Sequence, residues 1–383
     1  MKNIHFLFFM VSAIALSLVS IQGMSQPEKA VTEIEAIMQQ SKIIGLSVAV
    51  VRKNKIVFTH SFGLKDVEKN EPLKDNHIFR IASISKSFSA TSIMQLVEAK
   101  KLSLDDDMSS LVGFTLRNPK FPTTIITLRM VLSHRSSIND SRGYFSLDSI
   151  NPSTTANWAK CYNDYEPGMG YMYCNLNYNM VGTIIEKVSG ERFDEYVKHH
   201  ILEPLHLYGG YCVDSLDKTR FASIYEYNSD SAKFFASPAA YHPRTAELAN
   251  YTMGYSTPIF SPTGGMKISA TDLATYMIMH SKQGKHKGKR IISKNSAAQM
   301  QSVFSEKDDY GMAIMTTNKL IAGKTMKGHT GSAYGLYSLM FFQPKEKFGF
   351  VVISNGCDPK YADGFNAILR KTVASLYEAF IHK

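Results

Sequence analysis

Several common functional signatures are missing from this chain of 383 residues. Only four cysteines occur, and no two of them have the C-x-x-C spacing that is typical of zinc and thioredoxin-type redox sites. The G-x-S-x-G, H-E-x-x-H, phosphate-loop and dinucleotide-binding patterns are also absent. These absences disfavour a Ser-His-Asp hydrolase, a metallohydrolase and an NAD enzyme, and we predict no metal or organic cofactor.

Long apolar runs are scarce as well, and the one that occurs lies near the N-terminus. Lys2 precedes an apolar run over residues 6–19, and Gly23 and Ser25 offer a small-x-small cleavage site. This pattern predicts a secretory signal peptide over residues 1–25, cut near Ser25, with an uncleaved membrane anchor as the alternative. We therefore expect a periplasmic or secreted protein that has no stable membrane span after signal removal.

Export would permit disulfide bonds, but the sequence does not select a pairing. Four cysteines allow three pairings, and all three stay open. The residues concerned are Cys161, Cys174, Cys212 and Cys357.

Positive charge is in excess, yet it is spread along the chain. The 43 lysine and arginine residues outnumber 33 acidic residues, and the formal charge is +10. The densest basic cluster, residues 285–290, follows Gly284 and has no interleaved aromatic residues. We interpret it as a solvated turn after a helix and predict no nucleic-acid partner. Positive charge near an active site would still favour anionic substrates.

Strand patterns lie at both ends of the chain, and helical patterns lie between them. Strands are predicted over residues 45–51, 55–62, 310–316, 336–342 and 348–354, and a closing helix over residues 361–381. An α+β fold follows, in which one antiparallel sheet flanked by helices carries an inserted helical domain. We assign residues 26–99 and 216–383 to the sheet domain and residues 100–215 to the helical domain. The irregular stretch 212–262 is predicted to supply substrate-lining loops.

The stretch FRIASISKSFSATSIMQLV carries the first candidate chemistry. Read as a helix from Ser83, it places Ser83, Lys86 and three apolar residues on one stripe. Ser85, Ser89 and Ser92 lie opposite, so the stripe is predicted to be the buried side. A buried lysine is costly without a partner or a function, which favours a serine nucleophile at a helix N-terminus beside an amine. The alternative is a chance S-x-x-K whose lysine extends to solvent.

A second candidate pair, Tyr173 and Asn175, occurs in the segment EPGMGYMYCNLNYNMVG. Residues two apart in an extended chain face the same side, so the phenol and the amide would point together. The phenol can accept the serine proton only if adjacent positive charge, such as that of Lys86, lowers its pKa from about 10. The alternative is ordinary turn chemistry.

A third candidate segment, His329-Thr330-Gly331-Ser332, is predicted to lie just before a strand. Gly331 permits close backbone approach, and the following N–H can complete an oxyanion hole with the N–H of Ser83. The alternative for His329 is a strand-edge residue bonded to solvent. A further segment, residues 261–265, is predicted to form a tight turn, and its simplest function is to cap the next helix.

The three segments occur in the order S-x-x-K, Y-x-N and H-T-G, together with the blocks ITLRMVLSHRSS, ILEPLHL and SPTGGMKISATDLATYM. In this combination the chain resembles the class C branch of the serine β-lactamase and penicillin-binding-protein superfamily, and the likeness covers nearly the whole mature chain. That superfamily includes D-Ala-D-Ala carboxypeptidases, D-aminopeptidases and esterases. The resemblance implies a β-lactamase/transpeptidase-like fold with the active site between the sheet domain and the helical domain.

The resemblance also implies a role for each motif residue. In that assignment the serine is acylated, the lysine keeps the site basic, the tyrosine is the general base that later protonates the leaving group, and two N–H groups form the oxyanion hole. The catalytic residues would be Ser83, Lys86 and Tyr173, the oxyanion hole Ser83 and Ser332, and the substrate-binding residues Asn175, His329, Thr330 and Gly331. His329 would assist the tyrosine or meet a substrate carboxylate.

Together these features predict an exported serine hydrolase that acts on amide or ester bonds through an acyl-enzyme. The best candidate substrates are small molecules or D-amino-acid peptides, including peptides derived from peptidoglycan. His329 stands where typical β-lactamases have lysine, which removes a permanent charge and weakens carboxylate recognition. An esterase of the same fold and a penicillin-binding sensor that is acylated without turnover are the alternatives.

Overall fold

The computed structural model describes residues 25–304 and 309–382, so the predicted signal segment lies almost wholly outside the described residues. The helices are α1 (Gln26–Gln40), α2 (Ser85–Glu98), α3 (Met108–Val112), α4 (Leu128–Leu132), α5 (Asn175–Ser189), α6 (Phe193–Val197), α7 (Ala270–Ser281), α8 (Lys294–Met300) and α9 (Ala367–Phe380). None of the helices in this part of the chain has both the length and the apolar character needed to cross a membrane.

The strands are mostly short outside one large sheet. They are β1 (Gly45–Arg52), β2 (Lys55–Asp66), β3 (Glu71–Pro72), β4 (Phe79–Arg80), β5 (Gly209–Gly210), β6 (Tyr225–Asn228), β7 (Lys233–Ala236), β8 (Lys267–Ile268), β9 (Lys285–His286), β10 (Lys289–Arg290), β11 (Met315–Ile321), β12 (Lys324–Ala333), β13 (Leu336–Gln343), β14 (Phe348–Ser354), β15 (Tyr361–Ala362) and β16 (Phe365–Asn366).

The large sheet has seven antiparallel strands in the order β11-β12-β13-β14-β1-β2-β3, so strands from both ends of the described chain meet in its centre. Side chains alternate along β1, because Val48 and Val50 pack with α1 and α9 while Ala49 and Val51 face the core that contains α7. The predicted α+β class, with an antiparallel sheet flanked by helices, is confirmed.

The β1–β2 hairpin shows how local sequence sets this sheet. Its two turn residues, Lys53 and Asn54, have φ angles of 51° and 56°. Two consecutive positive φ angles make the tight turn whose twist matches that of paired strands. Arg52 pairs with Lys55 directly across this turn, as the sequence predicted for the hairpin.

Helix α2 is buried on all sides rather than along one stripe. The hydroxyl of Ser89 donates to Pro262 O (2.9 Å), that of Ser92 donates to Phe88 O (3.0 Å), and that of Ser85 accepts from Met266 N (3.1 Å). The expectation that these serines mark the unburied side is therefore wrong. Because each hydroxyl has a partner, burying it is not penalised as an unpaired polar group would be.

The C-terminal third differs from the prediction in three places. The strand expected over residues 310–316 begins only at Met315 and runs to Ile321. The closing helix begins at Ala367, because Asn366 accepts hydrogen bonds from the first N–H groups of that helix and a short hairpin precedes it. The H-T-G segment lies inside the long strand β12, not before a strand.

A second, three-stranded sheet joins distant parts of the chain next to α2. Strand β8 lies in its centre, with β4 on one side and β5 on the other. Arg80 pairs with Lys267 across this sheet, and Gly210 pairs with the same lysine from the other side. The sheet therefore anchors the chain immediately before Ser83.

Candidate active site

Ser83 lies in a single 3₁₀ turn, Ala82–Ile84, between strand β4 and helix α2. The turn begins with a backbone φ of 46° at Ala82, a left-handed conformation that costs a residue with a side chain roughly 1–3 kcal/mol. A hydrogen bond from Ile81 N to Met266 O (2.9 Å) holds the preceding residue against the small sheet. This strained strand–turn–helix places the Ser83 hydroxyl one helical turn from Lys86.

The Lys86 amine lies at the centre of the site and is fully buried. Its Nζ is 3.1 Å from Ser83 Oγ, 2.8 Å from Asn175 Oδ1 and 3.0 Å from Thr263 O. Burial lowers the pKa of this amine to about 7, although the carboxylate of Asp140 partly opposes the shift. The alternative in which Lys86 extends to solvent is excluded.

The three partners of Lys86 suit a neutral amine. Asn175 Oδ1 and Thr263 O are carbonyl oxygens, so each can only accept a hydrogen bond from the lysine. A neutral amine has two N–H donors for these two oxygens, and its lone pair is then directed to Ser83 Oγ. If it gains the serine proton, the resulting ammonium keeps all three contacts. The arrangement therefore fits proton transfer without rearrangement.

The phenol oxygen of Tyr173 is buried beside this pair, but the pKa of the phenol is shifted in the direction opposite to the one that a base requires. Burial raises the pKa of the phenol, and the nearby Ser83 hydroxyl opposes that shift only in part. The Lys86 Nζ lies 4.8 Å from the centre of the Tyr173 ring, over its face. The phenol oxygen has no hydrogen-bond partner among the described residues. The lowered pKa that a base role for Tyr173 requires is therefore not found, because burial of the phenol dominates.

Asn175 is held in place by a residue that the sequence analysis missed. Its Oδ1 accepts from Lys86 and from Thr263 Oγ1 (2.9 Å), and its Nδ2 donates to Asp140 Oδ2 (2.9 Å). The carboxylate of Asp140 also accepts from the backbone N–H groups of Asn175 and Leu176, at 2.8 and 3.0 Å. Since these are the first N–H groups of α5, Asp140 supplies the negative charge that a helix N-terminus favours.

His329 does not reach the cavity as a substrate-binding residue would. The ring is 2% exposed, its Nδ1 lies 2.5 Å from Thr330 O, and its Nε2 lies 2.9 Å from the hydroxyl of Tyr310. Because a carbonyl oxygen only accepts, Nδ1 carries the proton and Nε2 accepts from Tyr310. Burial lowers the pKa of this histidine to about 3. The expected contact between His329 and a substrate carboxylate is therefore wrong: the ring is neutral and both nitrogens are occupied.

Gly331 brings strand β12 against the nucleophile, as predicted. A Cβ at this position would lie 2.2 Å from Ile81 O and 3.1 Å from Ser83 N, so only glycine fits. The next residue, Ser332, lines the same cavity as Ser83, which agrees with a shared oxyanion hole. Thr330 instead contributes its carbonyl oxygen to His329.

One cavity of about 470 Å³ opens over the serine. Ser83, Tyr173, Asn175 and Ser332 line it together, whereas His329 does not. The three motif segments identified in the sequence thus meet around one space that is large enough for a small organic substrate.

The cysteines take no part in this arrangement. All four are buried and free. Cys174, which lies between Tyr173 and Asn175, donates its thiol to Asp140 Oδ1 (3.1 Å), and burial raises its pKa well above the usual range. A thiol in that state is a poor nucleophile, so Cys174 is inert.

Other residues missed from the sequence form the second layer of the site. His134 accepts from Cys174 N at its Nδ1 (3.2 Å), which leaves its Nε2 protonated and without a partner among the described residues. Its ring lies 4.3 Å from that of Tyr173.

Thr263 lies in the segment 261–265, which the sequence analysis interpreted as a tight turn. Its function is evident only in the structure, where its buried carbonyl oxygen accepts from Lys86. No group of three or more metal-ligating side chains occurs within residues 25–304 and 309–382.

A serine at a helix start, hydrogen-bonded to a buried lysine with a lowered pKa, is an arrangement that suits an activated serine nucleophile. The β-lactamase family model matches residues 31–373, and the chain belongs to the β-lactamase family.

Curated relatives agree with this assignment. The chain is 25% identical over 339 residues to the protein flp of Staphylococcus aureus strain MRSA252, an alignment that covers 85% of this chain and 62% of that protein. It is 32% identical over 157 residues to penicillin-binding protein 4* of Bacillus subtilis strain 168, covering 39% of this chain and 34% of that one. The chain thus spans less than two thirds of the length of these relatives.

Solved structures show the same fold. The octameric penicillin-binding protein homologue from Pyrococcus abyssi has a TM-score of 0.70 at 27% identity, covering 91% of this chain and 76% of that one. The D-amino acid amidase from Ochrobactrum anthropi SV3 has a TM-score of 0.69 at 19% identity, covering 91% and 98%. The hydrolase EstCE1, described with promiscuous acyltransferase activity, has a TM-score of 0.70 at 20% identity, covering 92% and 99%.

Proposed function

We propose that this protein hydrolyses amide bonds of D-amino-acid peptides or amides through an acyl-enzyme on Ser83. The observation that carries the proposal is the Lys86 amine, which contacts Ser83 Oγ while two carbonyl oxygens occupy its other directions. This geometry supplies a base for the serine proton inside a water-poor site.

In the acylation step, neutral Lys86 accepts the Ser83 hydroxyl proton as Oγ bonds to the substrate carbonyl carbon. The N–H groups of Ser83 and Ser332 stabilise the oxyanion of the tetrahedral intermediate. As the bond to the leaving amine breaks, the Tyr173 phenol donates its proton to that amine. The phenolate regains a proton from the Lys86 ammonium through a water molecule, because Nζ lies over the face of the Tyr173 ring and does not contact the phenol oxygen. The acyl-enzyme then carries a neutral amine and a neutral phenol.

Deacylation uses Lys86 as the base a second time, now with water as the nucleophile. Lys86 accepts a proton from a water molecule whose oxygen attacks the acyl carbon, and the collapse of the intermediate returns a proton to Ser83 Oγ. The product is a carboxylic acid, and the site regains its starting state. The contact between Lys86 Nζ and Ser83 Oγ supports Lys86 as the base, and the raised pKa of Tyr173 keeps the phenol protonated and able to donate.

The D-amino-acid substrate class rests on relatives of this chain. One structural neighbour is a D-amino acid amidase and another is a penicillin-binding protein homologue. The cavity of about 470 Å³ accommodates a dipeptide-sized group.

An ester is the second candidate substrate, because the cation that typical β-lactamases place at position 329 is replaced here by a buried, neutral histidine. An ester substrate needs no such contact. A penicillin-binding sensor, which would stop at the acyl-enzyme, is the third outcome that the experiment below separates.

The test uses a fluorescent penicillin and a fluorophosphonate probe, with Ser83→Ala as the control. We expect both probes to label the wild-type protein and neither to label Ser83→Ala. The wild-type protein should then lose the penicillin label within minutes. Persistent penicillin label would indicate a sensor, and no label from either probe would contradict the proposal. Turnover of D-alanine peptides, D-aminoacyl amides and p-nitrophenyl esters then identifies the substrate class.

Export remains part of the proposal, since residues 1–25 have the pattern of a signal peptide. N-terminal mass spectrometry of protein from the cell envelope and the medium tests it. A mature chain that begins near Gln26 is expected, and full-length protein confined to the cytoplasm would contradict export.

A further inference from the structure

A second chamber adjoins the active-site cavity and has a different charge. It measures about 190 Å³, the liquid volume of about six water molecules. Arg80, Phe145, Ser261 and Tyr334 belong to the walls of both spaces, so the chamber lies directly beside the cavity over Ser83.

Two cations face each other in the wall of this chamber, of which Lys267 is buried and Arg80 is partly buried. Arg80 on β4 and Lys267 on β8 are directly paired in the antiparallel ladder, and Lys267 is 4% exposed. Like charges directly opposite in such a ladder repel one another, and burial adds a desolvation cost to each. The chain therefore keeps an unfavourable pair next to its active site.

Neither cation has a carboxylate partner in the described part of the chain. Arg80 Nε donates to Gly264 O (2.8 Å), its guanidinium lies 5.0 Å from the centre of the Tyr334 ring, and its Nη groups donate to no acceptor within residues 25–304 and 309–382. Among the residues that the structure describes, Lys267 Nζ donates only to Tyr211 O (2.6 Å). Burial and the charge of Arg80 lower the pKa of Lys267 to about 7.

A third cation in the chamber behaves differently. Arg244 forms a two-pronged ion pair with the carboxylate of Glu247, so its charge is already compensated. The uncompensated charge is thus confined to the paired residues Arg80 and Lys267. A planar anion between them would satisfy the free guanidinium and ammonium donors and remove the repulsion.

We propose that Arg80 and Lys267 bind a carboxylate of the substrate in this chamber while the scissile bond lies at Ser83. This inference rests on the proposed function and names its substrate class: acids rather than neutral amides or esters. It also explains how the site can select anionic substrates although position 329 carries a neutral histidine.

The kinetic test compares matched substrates that differ only in the charged group. One arm uses the p-nitrophenyl monoester of glutaric acid against the corresponding glutaramic acid ester, which places the carboxylate in the acyl half. The other arm uses D-alanyl-D-alanine against its C-terminal amide, which places it in the leaving half. We expect kcat/KM to favour the carboxylate about ten- to hundredfold in one arm.

Substitutions assign that preference to the chamber. Arg80→Gln and Lys267→Met should each reduce the carboxylate-to-carboxamide ratio about tenfold, and Arg80→Lys should restore part of it. Arg52→Gln, which removes the same charge at the distant end of β1, should leave the ratio unchanged. A ratio near one in both arms, or a ratio that persists in both variants, would overturn the inference.

A binding measurement separates this inference from the catalytic proposal. Calorimetric titration of Ser83→Ala with N-acetyl-D-alanine and with its amide needs no turnover. We expect Ser83→Ala to bind the acid more tightly than the amide, and the Ser83→Ala/Arg80→Gln double variant to lose this preference. That result would support carboxylate binding in the chamber even if no substrate is hydrolysed. Equal binding of acid and amide, together with a kinetic ratio near one, would contradict carboxylate binding in the chamber. The labelling of Ser83 would still test the catalytic proposal separately.

Discussion

Lys86 and Lys267 are both buried, and burial lowers the pKa of both to about 7. They differ in what surrounds the amine. Lys86 contacts Ser83 Oγ and two carbonyl oxygens, so every direction of its nitrogen is occupied. Lys267 contacts one carbonyl oxygen and lies opposite a second cation.

The comparison shows that a lowered pKa does not by itself make a general base. Desolvation acts on both amines, but only Lys86 has a hydroxyl where its lone pair is directed. Lys267 instead has free donors that face a chamber. The number and kind of hydrogen-bond partners thus separate a base from an anion-binding group.

The largest predicted effect is the loss of acylation when the Lys86 amine is removed. Lys86→Met keeps the buried stem but has no lone pair for the serine proton. We expect the acylation rate of a fluorophosphonate probe to fall about 10³-fold or more. Lys267→Met should lower the same rate less than about tenfold. Equal losses in the two variants would abolish the distinction between these lysines.

A second, smaller effect is expected at Tyr173. If the phenol protonates the leaving group, Tyr173→Phe should slow the hydrolysis of D-aminoacyl amides about 10²-fold or more. A p-nitrophenyl ester should be affected far less, because its leaving group departs as a stable anion. Steady-state kinetics on both substrates check this, and equal losses would assign Tyr173 to the attack step instead.

Asp140 should change the site through the Lys86 pKa. Its carboxylate favours the charged amine, so Asp140→Asn should lower the pKa of Lys86 further and move the rise of acylation rate with pH to lower pH. The loss of charge at the start of α5 should also cost about 1 kcal/mol in the free energy of unfolding. Asp148→Asn, in an exposed part of the same loop region, is the control and should change neither the pH profile nor the melting temperature.

The smallest predicted effect concerns stability. Because the folded-state pKa of Lys267 lies below its unfolded value, the unfolded chain binds the extra proton between those values, and stability rises with pH from about 7 toward 10. Lys267→Met should therefore raise the melting temperature by a few degrees at pH 7 and by less at pH 10. Lys100→Met on the exposed surface serves as the control. No gain at pH 7 would show that Lys267 is not penalised by burial.

The sequence predicted the parts of the fold that depend on local patterns. The β1–β2 hairpin, the strands around residues 336–354 and the Ser83 helix start all follow from periodicity and turn residues. The long strand β12 was missed, because Gly328 and Gly331 weaken a strand pattern and are needed only where other backbone lies close. The beginning of β11 was misplaced for lack of an alternating pattern.

The chemistry of the site was predictable in its residues but not in its protonation states. Spacing made Ser83, Lys86, Tyr173 and Asn175 candidates, and the family resemblance assigned their roles. The pKa of Tyr173, however, depends on burial that no sequence pattern reports. The same holds for His329, whose nitrogens are occupied by Tyr310 and by a backbone carbonyl oxygen. Asp140 lies in a loop with no recognisable motif, and only the folded chain brings it to the start of α5.

The pH dependence of acylation tests the central claim most directly, namely that neutral Lys86 accepts the Ser83 proton. With a fluorophosphonate probe, the rate should rise tenfold per pH unit below about pH 7 and level off above it, as the Lys86 ammonium loses its proton. The same rise should persist in Tyr173→Phe. If Tyr173→Phe abolishes the rise or moves it away from pH 7, the phenol and not the amine is the base, and the account is contradicted.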